Sequence, residues 1–168
     1  RYYDVTRMLT PYVSDFAINK IRCEIEIKYF LVLIEKVLNV NIKLSERKFI
    51  EQFYKLFDEK SFLEIKNIEK TTNHDIKAIE YFIKEKLSEF KCIENHLEYI
   101  HFGLTSQDIN SVTNTLCLKR TLQEVIIPKI SDMIQILNNL GTTWQHVPMI
   151  SKTHGQSAVT TTMGKELK

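Results

Sequence analysis

The stretch IHFGLTSQDIN, residues 100–110, gathers a histidine, a glycine and a Thr-Ser pair just before a long apolar-periodic segment. Hydroxyls at a helix start can bind a carboxylate or phosphate, because the first N–H groups of a helix lack internal partners. Gly103 would let backbone approach a ligand closely. Thr105 and Asp108 also fit a capping box, which accounts for two of the polar residues without any ligand. His101 and Ser106 are left over. A second such junction is TTNHD, residues 71–75. There, Asn73 and Asp75 could hold substrate or fix a tautomer of His74, or the segment could be an ordinary helix cap with a surface histidine. The third is SKTHGQSA, residues 151–158. His154 could be a general acid or base, since the reference pKa of histidine is about 6.5. Its plain reading is a loop histidine.

His96 and His146 have no comparable setting and read as surface residues. Cys92, His96 and His101 mimic a metal-ligand spacing. Zinc needs four ligands, or three plus water, and no second Cys/His pair lies nearby, so no metal is expected. No glycine-rich phosphate loop and no nucleophile elbow occurs.

These junctions need helices to carry them. The sequence has 168 residues, 43% hydrophobic and 26% charged, which suits a globular chain with a real core. Four glycines and three prolines are too few for a many-stranded sandwich or barrel. Net charge is +2 without a basic block, so nucleic acid is not indicated. The longest apolar run is far short of a membrane span. Three scattered cysteines suggest reduced thiols and an intracellular home. The first residue is arginine and the last lies in an apparent helix, so both ends read as cut.

Along the chain, Pro11 argues against an early helix. Residues 14–39 read as one long helix capped by Ser14 or Asp15, although CEIEIKY alternates like a strand. Residues 45–57 and 60–68 suggest shorter helices. From residue 75, Ile76, Ile79, Ile83, Leu87 and Phe90 recur at helical steps, with Thr72 or Asn73 as N-cap. Glu80 and Lys84 make an i,i+4 pair. Residues 108–140 repeat the apolar period, with a break expected near Pro128 and a stop at Gly141. A last helix is expected from Gln156, placing Val159, Met163 and Leu167 on one face.

Taken together, Arg1-Tyr2, TTNHD, IHFGLTSQDIN and SKTHGQSA occur in the order and spacing of the adenylosuccinate lyase family, within the fumarase/aspartase superfamily. The resemblance covers essentially the whole chain. Gly-Gln after Thr-His, where related lyases have Leu-Gln, and the Thr-Ser-x-Asp-Ile signature favour this family. Ser157, Gln107 and Tyr3 depart from its usual residues, which bears on local loop shape. The family's loop bearing a catalytic serine, with Lys and Asn nearby, would lie beyond Lys168.

The resemblance implies an all-α fold: an N-terminal helical domain over residues 1–104, then the first part of a long-helix bundle over 105–168. It implies β-elimination of fumarate from a succinylated purine nucleotide, without metal or organic cofactor. His154 would be the acid, with His74 sharing the proton work. Thr105, Ser106 and Gln156 would hold the succinyl group. Asn73, His74 and Asp75 would bind and orient substrate, His101 would lie near the phosphate, and Arg1 and Tyr2 would contact the nucleotide. It further implies a cytoplasmic homotetramer with shared active sites. Two alternatives stay open: another lyase of the superfamily, and a non-catalytic helical assembly module.

Overall fold

The computed structural model describes residues 2–168; the expectation for Arg1 lies outside the described residues. The chain forms two compact units, one ending at Thr121 and one running from Leu122 to Lys168. The 104/105 division expected from the sequence falls earlier than this. The helix that begins at Ser106 packs against the first long helix and so belongs with the first unit.

In the first unit, α1 (Tyr3–Thr6) and α2 (Thr10–Val13) are short turns. Pro11 does not prevent helix here. It sits in the first turn of α2, where its missing N–H would have had no partner. α3 (Asp15–Val32) starts at Ser14, whose hydroxyl accepts from the Ala17 N–H, and runs into a π turn at Leu33–Val37. The strand-like alternation of CEIEIKY is overruled because the long segment buries Ile21, Cys23, Ile27, Phe30 and Leu31 at helical spacing. α4 (Leu44–Lys55), α5 (Glu59–Thr72) and α6 (Asp75–Leu87) follow, and α7 (Ser106–Thr121) closes the unit. Ile27, Phe30, Leu31, Ile50, Ile65, Ile79, Ile83 and Leu87 are among the buried core residues.

The second unit begins with a π turn, Leu122–Ile126, followed by α8 (Ile127–Thr143). Residues 106–143 are thus helical apart from that turn, and the irregularity stands just ahead of Pro128, which takes a first-turn position in α8. Gly141 does not stop the helix. It is buried within the last turn. The missing side chain makes room for the short α9 (Met163–Glu166), whose Gly164 N–H donates to the Trp144 carbonyl at 3.0 Å.

A helix from Gln156 is not what forms. β1 (Pro148–Thr153) and β2 (Gln156–Thr162) make an antiparallel hairpin, and helix resumes only at Met163. Two local features explain this. Val159 and the three threonines that follow favour extended backbone. His154 and Gly155 adopt φ of 50° and 76°, the two positive values that a type I′ hairpin turn needs. The fold is otherwise helical, and the hairpin is the only sheet among the described residues.

Gly164 is where this unit tolerates least. A Cβ there would overlap the Gly141 carbonyl oxygen and come within 2.6 Å of the Gln145 N and Cα. Gly164→Ala should therefore lower stability by about 1–3 kcal/mol, the range for forced overpacking. Denaturant unfolding measures it; an unchanged midpoint would show that α9 can move off α8 freely.

Candidate functional site

One stripe of α3 holds the stretch 101–110 in place. Arg22, Glu26 and Tyr29 lie four and three residues apart, on the same side of the helix. The Tyr29 hydroxyl donates to the Phe102 carbonyl at 2.9 Å. Glu26 Oε1 meets His101 Nδ1 at 2.6 Å. The Arg22 guanidinium donates to Asn110 Oδ1 at 2.7 Å and pairs with Asp75 Oδ2 at 2.7 Å. Arg22 thereby ties the first residue of α6 to the first turns of α7, and sets two helix N-termini side by side. Below it, Arg120 of α7 reaches Glu24 with one guanidinium nitrogen, at 3.1 and 3.0 Å from the two carboxylate oxygens. Burial works against the Glu24 charge, but hydrogen bonds from Lys28 and Arg120 outweigh it and hold the carboxyl below its usual range.

At the α6 terminus the N-cap is His74, not Thr72 or Asn73. Asn73 is spent on the preceding turn, with φ of 51° at the C-terminus of α5. The Lys77 N–H donates to His74 Nδ1 at 3.1 Å. A backbone amide can only donate, so Nδ1 carries the lone pair and the ring proton sits on Nε2. Nε2 lies 3.3 Å from Ser106 Oγ, at the first residue of α7. His74 thus donates to Ser106, and the Ser106 hydroxyl keeps its own proton to give elsewhere. Asp75 caps locally as well, accepting from the Ile76 N–H at 2.9 Å.

At the α7 terminus the capping box is half formed. Asp108 Oδ2 accepts from the Thr105 N–H at 2.7 Å and from its hydroxyl at 2.8 Å. Those two bonds hold the Asp108 carboxyl below its usual range. A carboxylate ligand would have to compete with Asp108 for the Thr105 hydroxyl. Gly103, at φ 73°, turns the chain beneath Tyr29, whose hydroxyl would stand 3.7 Å from an added Cβ.

The structure therefore brings His74, Asp75, His101, Thr105 and Ser106 onto one framework in the first unit. Asn73 flanks it, exposed. Tyr2 is exposed ahead of α1. His154 and Gln156 belong to the second unit, at the tip of the hairpin, both exposed; His154 Nδ1 lies 3.0 Å from Thr153 Oγ1. His146 is exposed, as expected, but His96 is half-buried and stacks near Tyr99, with Nδ1 enclosed and unpartnered.

Arg22, Glu26 and Asn110 were not singled out from sequence. A signal exists: Arg22 and Glu26 are charges four apart on one side of α3, among buried apolar residues such as Ile21, Cys23 and Ile27, where partners must lie on another element. The expected i,i+4 pair of Glu80 with Lys84 forms, at 3.2 Å; Glu80 is only 4% exposed and also holds Lys77 at 2.9 Å.

The lyase family matches residues 9–168. The chain belongs to that family. Its relatives include proteins named adenylosuccinate lyase from Dictyostelium discoideum, 43% identical over 99% of this chain, and from Escherichia coli strain K12, 34% identical over 99%. The Buchnera aphidicola protein of that name, from the Acyrthosiphon pisum symbiont, is 39% identical. The chain spans 37% of the length of each. Among solved structures, the β-carboxy-cis,cis-muconate cycloisomerase of Acinetobacter calcoaceticus superposes with a TM-score of 0.75 over 99% of this chain and 38% of its own. At 18% identity that likeness speaks for the fold.

Proposed function

We propose that the full-length protein is an adenylosuccinate lyase. It would eliminate fumarate from adenylosuccinate, giving AMP, and from the succinyl-aminoimidazole-carboxamide ribotide of purine nucleotide synthesis. The observation that carries this is the 34–43% identity to proteins of that name across nearly the whole chain. The local geometry fits the chemistry. Elimination builds negative charge on a carboxylate beside the carbon that loses its proton, and donors already placed there lower the barrier. The N-terminus of α7 and the Ser106 hydroxyl, which itself receives the His74 Nε2–H, supply such donors. Asn73 and Asp75 would orient substrate beside them, and Thr105 and Gln156 would join Ser106 on the succinyl group. His101 would face the phosphate, with Arg1 and Tyr2 on the nucleotide. His154 would protonate the departing nitrogen. The test is fumarate release, followed by absorbance, from adenylosuccinate supplied to the full-length protein. No release at high enzyme concentration would end this reading.

Ser106→Ala should raise KM several-fold and also lower kcat, because a carboxylate contact exists before the reaction and tightens during it. It deletes the hydroxyl between His74 and ligand while leaving the helix-start bonds of Thr105 and Asp108 in place. Steady-state kinetics decide; unchanged KM and kcat would reduce Ser106 to a helix-start residue.

The active assembly would be a cytoplasmic homotetramer with sites shared between subunits. Two features support this. Ile127, Ile130, Met133, Ile134, Ile136 and Leu137 of α8 are all 43–61% exposed, a surface that needs covering. Cys23, Cys92 and Cys117 are free thiols, and among the described residues no helix is long and apolar enough to cross a membrane. Sedimentation of the full-length protein as a monomer would remove the tetramer.

A further inference from the structure

Glu26 is fully buried, and only one of its carboxylate oxygens is satisfied. Oε1 contacts His101 Nδ1 at 2.6 Å, while Oε2 has no partner. Burying such a group is costly, and a well-packed apolar side chain would serve stability as well or better. What the carboxylate does provide is direction. The Nδ1 edge of His101 faces an acceptor, so that nitrogen carries a hydrogen and the opposite one, Nε2, is turned outward. Nε2 makes no hydrogen bond among the described residues, and the side chain is 17% exposed, so a ligand can reach it. The backbone is bent to make this contact: His101 adopts φ of 63° and Gly103 φ of 73°, with the carbonyl between them clamped by Tyr29.

We propose that Glu26 is a positioning residue: it orients His101 so that the ligand is bound by the imidazolium, with Nδ1–H donated to Glu26 and Nε2–H donated to an anionic group, the nucleotide phosphate. This rests on the lyase reading for the name of the ligand. The surroundings agree. Burial pushes the Glu26 carboxyl up, the hydrogen bond and charge of His101 pull it back, and Glu80 adds to the rise. Glu80, from α6, is itself neutralised by Lys77 and Lys84. Arg22 is committed to Asp75, and Cys23, the other titratable neighbour, is held as a thiol by its burial and by the Glu26 charge. His101 is thus the partner that Glu26 directs.

The experiment is a double-mutant cycle of Glu26→Ala and His101→Ala in the full-length enzyme, with Glu26→Gln as a third variant. Glu26→Ala should raise KM for adenylosuccinate about tenfold while kcat stays within about twofold, since an aligned charged hydrogen bond is lost before the chemistry. Glu26→Gln, whose amide oxygen still accepts from Nδ1, should recover most of that loss and serves if Glu26→Ala folds poorly. In the His101→Ala background neither change should cost more, because the residue through which Glu26 acts is gone. With the phosphate-free nucleoside of the substrate the effect of Glu26 should vanish. Additive losses, or an equal loss with the nucleoside, would overturn the proposal and leave Glu26 a structural residue. The same cycle read as AMP affinity by calorimetry needs no catalysis. If AMP binds but fumarate is never released, the lyase reading fails and the cycle still decides Glu26; if AMP does not bind the wild type, the positioning role falls too.

Discussion

Under the proposed lyase reading, with His154 as its acid, His154→Asn in the full-length protein should lower kcat about 10²- to 10⁴-fold, the range for losing a general acid, while product nucleotide binding changes little. Asparagine is the better replacement because residue 154 sits at φ 50° in a two-residue turn. Asn tolerates that conformation, whereas Ala would add backbone strain and confuse a chemical loss with a structural one. The side chain is exposed at the hairpin tip, with its Nδ1 against Thr153 Oγ1, so its removal leaves no hole in the unit. An exposed histidine on a rigid turn is what an acid needs if another surface is to bring substrate to it. Under the lyase reading the acid acts as the C–N bond breaks, so its loss appears in kcat and kcat/KM more than in binding. Single-turnover fumarate release measures it. Turnover by His154→Asn equal to wild type would return His154 to an ordinary turn residue.

The helices were legible because their apolar spacing and their caps agree. Ile76, Ile79, Ile83 and Leu87 are all buried on α6, and Ser14 caps α3. Pro128 marked the irregularity in residues 106–143 because a missing N–H must sit in a first turn. The hairpin was not legible to the same reading. Val159, Met163 and Leu167 suggested one helical face by spacing alone, while the turn that decides the matter is carried by His154-Gly155, an unusual relative of Asn-Gly. Gly141 misled for a different reason: it is small because α9 packs on it, not because a helix ends there. Within the site, the motif residues stood out as polar groups at helix starts. Their supports did not, since Arg22, Glu26 and Tyr29 reach 53–88 residues along the chain for their partners, the shortest being Arg22 to Asp75. Long-range pairing leaves only an i,i+4 charge stripe behind in sequence.

His74 poses the sharpest choice between structure and chemistry, because it visibly does the first. Its Nδ1 caps α6 through the Lys77 N–H, and its Nε2–H points to Ser106 Oγ. Two substitutions separate the roles. His74→Ala removes both, and loss of an N-cap should cost about 0.5–2 kcal/mol of stability. His74→Asn keeps a capping oxygen within reach of the Lys77 N–H, so stability should stay within about 0.5 kcal/mol of wild type. It cannot extend a donor to Ser106. If the donated hydrogen bond polarises Ser106 toward the succinyl carboxylate, both variants should lose about 10²-fold or more in turnover, as when one preorganised donor to a developing anion is removed. Activity would then follow the lost Nε2–H while stability follows the cap. The measurements are denaturant unfolding and fumarate release on the same full-length preparations. If His74→Asn is as active as wild type, the cap is all His74 provides, and the proton work passes to His154 alone. A variant that is stable yet inactive would show that the start of α6 and the substrate share the His74 side chain, each using a different ring nitrogen.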